Sequence, residues 1–510
     1  RTLTQSALPI VGTSVPVSYN YPTSAVGNAF AVAYSTIPFH ARFAVVIPGF
    51  TVLGMLLVDP SSNIIGASGI LPAGTATSHV LSIPNSSQLL GFAFEAQGYD
   101  FDLSPPVLAF TDNDLEFVVQ NVPQWTPAHP IGSGGPTTKF VMNRSGLGAV
   151  GWLGGILRYS PASDWQPLIA MPGQLTIHDI GIDSLGNVVC ACLDSMNDLY
   201  VCTNDTSGAW GPPQPIALTA NIIGPPSLAV SSSGRAIVVW DEAPWWGGDP
   251  IIMGTASAGN GSYVFAAPLP VESIATASQR SPVVVIGDDG IGDVLFNEVE
   301  PNGLGGFNHR VMYCRYAYGA NVANPIFSSQ AEAVRLVAVG SNGMVYATWQ
   351  DDLSTVAWCS GGAGAVLLGT STDYTLPRLA VNGSRRGFVM WRQAQTGALG
   401  MWASAITGTT FGVPVQIDST SLFTYDPNVT IDPAGNATAS WGSTAPGYGE
   451  LRWSRFTPGS GWSAPSSNLD PGWIAQSSRL ACDHQGDVVF LWRRYWSSPA
   501  TNTPMSAAFR

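Results

Sequence analysis

A short pattern that recurs eight times up to Trp492 most constrains what this chain can fold into. Each copy has alternating apolar residues, a turn with Asp, Asn or Ser early and usually Gly late, and a second apolar run. Alternation predicts β-strands, and Gly suits a tight hairpin because it accepts positive φ. The second run usually closes on a large aromatic residue, and the eight closing residues are Trp152, Cys192, Trp240, Phe296, Trp349, Trp391, Trp441 and Trp492.

The spacing of these copies predicts the architecture. Successive closing residues are 40 to 56 residues apart, and two further runs follow most copies. The fourth run often has an aromatic residue just before a proline, as at Trp210 and Pro212. Proline cannot donate to a ladder, so this strand belongs at the outer edge. Four antiparallel strands per repeat predict an all-β chain with an eight-bladed β-propeller; seven blades is the alternative if an early copy is miscounted.

The ends of the repeat region predict how the ring closes. The last copy reaches Arg510 without a fourth strand, whereas Trp125 and Pro127 show the outer-strand pattern ahead of the first copy. Residues 117–131 are therefore expected to complete the last blade and to remove its free edge. The predicted organisation is an extended arm at 1–20, a small β-sandwich at 21–115 and the propeller at 116–510.

Two local motifs resemble known families. The turn pattern D-x-x-G-[ND] at Asp183–Asn187, Asp432–Asn436 and Asp483–Asp487 resembles secreted sialidase-like and NHL-like propellers. This resemblance implies a fold rather than an activity, and the Asp-boxes of sialidases are absent from the sequence. The stretch SIPNSSQLLGFAFEAQ resembles a motif in β-sandwich modules of secreted bacterial proteins.

Charge and hydropathy exclude several kinds of partner. The chain has 20 basic and 33 acidic residues, a net charge of −13, and a single lysine, Lys139. Such a surface is unsuited to nucleic acid and to anionic membranes. No apolar run is long enough to span a bilayer. Because the chain starts at Arg1 rather than Met, export to the exterior or the cell surface is expected.

Cysteine and histidine spacing bears on redox and metal chemistry. Cys192 and Cys202 flank a predicted turn, so they form either a disulfide across the hairpin or buried free thiols. No C-x-x-C pair or H-E-x-x-H motif is present. The sequence therefore predicts no metal and no cofactor.

Polar and aromatic residues that follow the second strands of several blades form the candidate glycan-binding face. Indole rings stack on sugar rings, acids accept hydroxyl protons, and Arg binds carboxylates. The alternative is that these are ordinary solvated rim residues. The candidates are Asp241, Glu242, Trp245, Trp246, Arg392, Arg494 and Trp496.

The absence of a catalytic signature favours a structural protein over an enzyme. The expected function is a non-enzymatic subunit of an extracellular filament, joined to further copies of itself through its N-terminal strand. Val11, Val15 and Val17 alternate along this arm, so they share one strand face that could enter a neighbour's sheet. The alternatives are a lectin-like propeller and, less favoured, a polysaccharide hydrolase or lyase.

Overall fold

The computed structural model describes the strands of residues 1–124 and most of the chain from 125 to 509. Within 125–509 it leaves out residues 132–135, 153, 219–220, 244–248, 260, 273–276, 288–289, 303–306, 317–322, 330–332, 342, 353, 371–376, 396–397, 420–422, 446–447, 468, 470–473 and 498–499. The chain divides into two compact units, residues 1–124 and residues 125–510, which are described separately.

The first unit contains two sheets. Its strands are β1 (Thr2–Gln5), β2 (Ser14–Asn20), β3 (Ala29–Ser35), β4 (Thr51–Leu53), β5 (Ile64–Ile70), β6 (Ala76–Ser82), β7 (Ala93–Leu103), β8 (Pro106–Phe110) and β9 (Leu115–Val118). One sheet has the order β1-β2-β6, and the other has the order β4-β8-β7-β3-β5 with β9 also on β7. That the two sheets form a β-sandwich stays a prediction.

The predicted arm falls partly on β2. Val15 pairs with Leu81 of β6, and Val17 pairs with both His79 of β6 and Gln5 of β1. Both backbone edges of β2 are thus used within the chain, whereas Val11 lies outside the described residues. Strand donation by the arm to another copy stays a prediction.

The second unit begins with β10 (His129–Pro130) and three blades. Blade 1 contains β11 (Pro136–Met142), β12 (Gly148–Trp152), β13 (Gly155–Ser160), β14 (Asp164–Trp165) and β15 (Ile169–Ala170). Blade 2 contains β16 (Thr176–Ile182), β17 (Val188–Leu193), β18 (Leu199–Asn204) and β19 (Gln214–Ala217). Blade 3 contains β20 (Asn221–Ile222), β21 (Ser227–Val230), β22 (Ala236–Ala243), β23 (Ile251–Gly259), β24 (Ser262–Phe265) and β25 (Leu269–Pro270).

Five more blades follow in the same order. Blade 4 contains β26 (Ser278–Ile286), β27 (Gly292–Pro301), β28 (Phe307–Tyr316) and β29 (Asn324–Ser329), and blade 5 contains β30 (Ala333–Ser341), β31 (Met344–Asp351), β32 (Ser354–Cys359) and β33 (Val366–Thr370). Blade 6 contains β34 (Arg378–Val381), β35 (Arg386–Gln395), β36 (Ala398–Thr407), β37 (Thr410–Phe411) and β38 (Val415–Asp418). Blade 7 contains β39 (Phe423–Ile431), β40 (Ala437–Ala445), β41 (Tyr448–Thr457) and β42 (Gly461–Trp462), and blade 8 contains β43 (Ile474–Cys482), β44 (Val488–Ser497) and β45 (Ala500–Phe509).

These eight sheets form an eight-bladed β-propeller. In each blade the strands pair antiparallel in chain order, and the first strands of adjacent blades contact one another. The contact between β43 of blade 8 and β11 of blade 1 completes the ring. The prediction of eight rather than seven blades is therefore confirmed.

Residues ahead of blade 1 supply the outer strand of blade 8. His129 of β10 pairs with Ser506 of β45, and an isolated bridge joins Trp125 to Phe509. Trp125 also packs against Trp453 of blade 7, with ring centroids 5.3 Å apart. The two ends of the propeller segment are thus hydrogen-bonded within one sheet.

One apolar layer lies between each pair of neighbouring blades, and eight such layers complete the ring. The closing residue of each second strand packs into the layer shared with the preceding blade, as Trp441 does against blade 6. None of the eight closing residues is more than 3% exposed. The prediction that these positions form the core is confirmed.

The turn between the first and second strands is held by its first polar side chain. In blade 2, Oδ1 of Asp183 accepts the backbone N–H of Asn187 at 2.8 Å, and Gly186 has a φ of 95°. Blade 7 repeats this with Asp432, Asn436 and a φ of 91° at Gly435. The aspartate stabilises the turn amides, and glycine tolerates the left-handed backbone.

All six cysteines are free thiols. Strand register explains why the disulfide alternative fails: Cys202 lies opposite Cys190, whereas Cys192 lies opposite Tyr200. Burial is the largest cause of the raised pKa of Cys190, and the pKa of the Cys192 thiol is raised chiefly by its hydrogen bond with Cys202. The buried-thiol alternative therefore holds.

Candidate functional site

The polar residues predicted to form one face are distributed around the propeller rim. Asp241 and Glu242 lie on β22 of blade 3, Arg392 on β35 of blade 6 and Arg494 on β44 of blade 8. Two blades separate blade 3 from blade 6, and two more separate blade 8 from blade 3. These residues therefore lie on three non-adjacent blades rather than around one pocket.

Asp241 has a structural role at the junction of blades 3 and 4. It is only 3% exposed, and its Oδ1 accepts the backbone N–H of Gly224 at 2.8 Å. Its Oδ2 accepts the backbone N–H of Ser281 at 3.3 Å, where Ser281 has a φ of 54°. Because both carboxylate oxygens of Asp241 accept backbone N–H groups in the interior, this residue does not belong to a binding surface.

The other candidates on this rim differ in burial and in hydrogen bonding. Glu242 accepts a hydrogen bond from Nε1 of Trp240 at 3.1 Å, and Arg392 is buried. Trp245, Trp246 and the side chain of Trp496 lie outside the described residues. Sugar stacking on these three indole rings stays a prediction.

A groove between blades 2 and 3, not foreseen from the sequence, brings aromatic and polar side chains together. Its volume is about 290 Å³, close to the lower end for small-molecule sites. The lining residues are Asn187, Thr203, Asn204, Asp205, Ala209, Trp210, Gly211, Gly261 and Tyr263. Blade 2 supplies the first seven of these residues, and the third-to-fourth-strand hairpin of blade 3 supplies the last two.

Hydrogen bonds across the blade junction fix the tyrosine of this groove. The hydroxyl of Tyr263 donates to Oδ2 of Asp183 at 2.8 Å, and Nδ2 of Asn187 donates to the same oxygen at 2.7 Å. Burial, and then the bond to Asp183, raise the pKa of Tyr263 far above its ordinary value. The phenol therefore stays protonated, and its ring keeps one orientation in the groove wall.

Asp205 gives the groove an accessible carboxylate. It is exposed, and its Oδ1 accepts the Ser207 hydroxyl at 2.6 Å and the backbone N–H of Ala209 at 3.0 Å. The Ser207 hydroxyl, followed by the Ala209 amide, lowers the pKa of this carboxyl. Asp205 is thus ionised at neutral pH and can accept hydrogen bonds from ligand hydroxyls.

A second groove, of about 440 Å³, lies at the equivalent place between blades 8 and 1. His129 and Asp164 line it, with Nε2 of His129 3.0 Å from Oδ2 of Asp164. Its other lining residues are Thr126, Pro127, Pro161, Ala162, Ser163, Ser506 and Ala508. This groove has hydroxyl and imidazole groups, but no Trp or Tyr among the described residues that line it.

Two negative findings apply to the described residues. In this part of the chain, His, Cys, Asp and Glu do not gather in threes suited to a metal ion. The same residues include no helix with the length and hydropathy to cross a membrane.

Comparison with known proteins finds similar solved structures at low sequence identity. No protein-family model matches the chain, and no curated protein matches it. An ulvan lyase structure is similar at 12% identity and a TM-score of 0.38, covering 64% of this chain and 79% of the lyase. A mutant of the NanB sialidase of Streptococcus pneumoniae is similar at 10% identity and a TM-score of 0.34, covering 76% of this chain and 93% of the sialidase. A mutant of the Aleuria aurantia lectin is similar at 14% identity and a TM-score of 0.28, covering 57% of this chain and 96% of the lectin.

Proposed function

We propose that this protein is a glycan-binding propeller whose groove between blades 2 and 3 takes one neutral sugar residue. The observation that carries the proposal is that Trp210 and Tyr263 from neighbouring blades line one groove together with the exposed carboxylate of Asp205. Aromatic surfaces suit the apolar face of a pyranose, and nearby polar groups suit its hydroxyls.

Charge favours a neutral sugar over an acidic one. Asp205 is the one charged residue among the described groove-lining residues, and the whole chain has a net charge of −13. The negative electrostatic field of such a chain slows the approach of polyanionic polysaccharides at low salt. Binding of acidic sugars through Arg392 and Arg494, the two arginines of the candidate glycan-binding face, is therefore the less favoured form of the proposal.

Binding is better supported than hydrolysis at this groove. Glycoside hydrolysis commonly requires two carboxyl groups about 5–9.5 Å apart on either side of the scissile bond. Asp205 is exposed at the groove, whereas Asp183 is 2% exposed and already holds Tyr263 and Asn187. We therefore propose a binding protein. Its extracellular location is a proposal as well.

Two exposed alanines allow a matched test of the groove. Ala209 lines the groove between blades 2 and 3, and Ala162 lines the groove between blades 8 and 1. Ala209→Phe fills the first groove without altering a buried side chain, and Ala162→Phe does the same in the second. The native protein is applied to a glycan array, and hits are measured by calorimetry for all three proteins.

We expect a neutral glycan to bind the native protein and Ala162→Phe with equal affinity, and Ala209→Phe to lose at least tenfold. Equal thermal melting of the two variants shows that both remain folded. A native protein that binds no glycan overturns the proposed function. Retained binding by Ala209→Phe, or loss in Ala162→Phe alone, overturns the choice of groove.

A further inference from the structure

A cavity of about 430 Å³ lies on the axis of the propeller. Its lining includes the last residue of the first strand in five blades: Met142, Val230, Ile286, Ser341 and Val381. Blades 1, 3, 4, 5 and 6 can share a space only at the centre of the ring, because contacts between first strands join each blade to its two neighbours. The cavity is therefore one mouth of the central channel, at the end where each first strand turns into the second.

Arg144 is the one charged residue among the described residues that line this cavity. It is exposed, and the turn that carries it is held at several points. Oδ1 of Asn143 accepts the backbone N–H groups of Ser145 and Leu147 at 3.0 and 3.1 Å. The backbone carbonyl of Arg144 accepts the N–H of His484 in blade 8 at 3.2 Å. This fixed backbone limits where the guanidinium group can reach.

The innermost strands around the channel are basic, although the chain as a whole is acidic. The first strands of the eight blades contain five basic and two acidic residues, against 20 basic and 33 acidic residues in the whole chain. Asp288 and Asp289, in the turn after β26, lie outside the described residues and are not counted. A channel lined mainly by one sign of charge concentrates small ions of the opposite sign. The basic residues are Lys139, Arg280, Arg335, Arg378 and Arg479, and the acidic ones are Asp179 and Asp426.

We propose that this axial cavity binds one small molecule that carries a carboxylate or phosphate group, with Arg144 as its charged contact. A guanidinium group donates two parallel hydrogen bonds to such an oxyanion, which gives strength and direction. Gly287, Gly340 and Gly383 also line the cavity, and their lack of side chains leaves room for the rest of the ligand. A volume of about 430 Å³ suits a single small molecule rather than a polymer.

Calorimetry with citrate and with inorganic phosphate tests this site in the full chain. Arg144→Gln removes the charge at the cavity. Arg315→Gln is the matched control, because Arg315 is exposed on β28, a third strand away from the axis. Gly383→Asp adds a carboxylate to the cavity wall, at a position where a Cβ would meet nothing within 4 Å. Thermal melting without ligand verifies that all three variants fold.

We expect citrate or phosphate to bind the native chain with one molecule per chain, and added salt to weaken the binding. Arg144→Gln should weaken it about tenfold or more, because it removes a charge-assisted hydrogen bond. Gly383→Asp should abolish binding through repulsion, whereas Arg315→Gln should match the native chain.

A native chain that binds neither anion overturns the proposal. Unchanged binding in Arg144→Gln overturns it as well. Equal losses in Arg144→Gln and Arg315→Gln would reduce the binding to an effect of net charge, and this outcome also contradicts the axial site. Ala209→Phe, in the groove between blades 2 and 3, should leave anion binding unchanged, so the result is separate from glycan binding.

Discussion

The Nζ atom of Lys139 lies 2.8 Å from Oδ1 of Asp179, so the single lysine of the chain joins the innermost strands of blades 1 and 2. The same ammonium donates to the carbonyl oxygen of Leu228 in blade 3 at 3.1 Å. Oδ2 of Asp179 in turn accepts the backbone N–H of Leu228 at 2.7 Å. Two side chains therefore connect three successive blades beside the central axis.

Replacing Lys139 by Met tests this connection while keeping an aliphatic chain of similar length. Because the Lys139 side chain is 46% exposed, we expect a loss of about 0.2–1 kcal/mol in the free energy of unfolding. Added salt should reduce the loss, since screening weakens the native ion pair. Urea unfolding at low and high salt measures both effects. Equal stability of both proteins at low salt contradicts the assignment.

Replacing Arg385 by Gly should stabilise the protein. Arg385 occupies the turn position that is glycine in most other blades, and it has a φ of 58°. A non-glycine residue in this region costs about 1–2 kcal/mol, partly offset by the greater freedom of glycine in the unfolded chain. A net gain of about 0.5–1 kcal/mol is expected from thermal or urea unfolding. Gly435→Ala, at a φ of 91°, is the reciprocal control and should destabilise.

Replacing Trp441 by Ala should be among the most damaging single changes. Its ring is fully buried between blades 6 and 7, and its Nε1 donates to Oδ2 of Asp418 at 2.9 Å. Truncation of a core aromatic costs about 3–5 kcal/mol, and Trp441→Phe should cost less because it keeps a ring. Met196→Ala, at a side chain 77% exposed, should be nearly neutral. Similar losses for Met196→Ala and Trp441→Ala would show that the layer is misassigned.

Replacing Glu272 by Gln should change how stability depends on pH. Burial, and then the neighbouring Glu298, raise the pKa of Glu272 above its ordinary value of 4.5. The folded state therefore holds this proton more tightly than the unfolded state does. The resulting stability is complete below pH 4.5 and is lost as pH rises through the folded-state pKa.

The side-chain amide introduced by Glu272→Gln would imitate the protonated acid at every pH. We expect this variant to match the native protein in acid and to exceed its stability at neutral pH. Urea unfolding at several pH values gives the difference. A constant difference between the two proteins across this range is incompatible with a raised pKa.

Local repetition is why the fold was predictable. Each hairpin repeats its own turn chemistry and its closing residue, so Trp240 and Trp391 could be assigned to the core without knowing their neighbours. The facing of cysteines across a hairpin was harder to predict, because it depends on the length of the loop as well as on the positions of the cysteines in the sequence. The five residues between Leu193 and Leu199 place Cys190, rather than Cys192, opposite Cys202.

The candidate site was harder to predict because its partners come from different blades. Asp241 resembles a rim acid in the sequence, yet its backbone partners are 17 and 40 residues away. The new groove is likewise lined by Trp210 of blade 2 and Tyr263 of blade 3. The local signal available beforehand was a tryptophan before proline beside the turn at Asp205.

The hydrogen bonds between residues 125–130 and β45 bring the start and the end of the propeller segment into one sheet. Every junction between blades then has the same kind of packing layer, including the one where the propeller segment starts and ends. A circular permutant that joins β45 to Trp125 by a short linker and opens the chain between two other blades should keep the same eight layers. The propeller is therefore a closed cycle in its packing, although it is encoded by a linear chain.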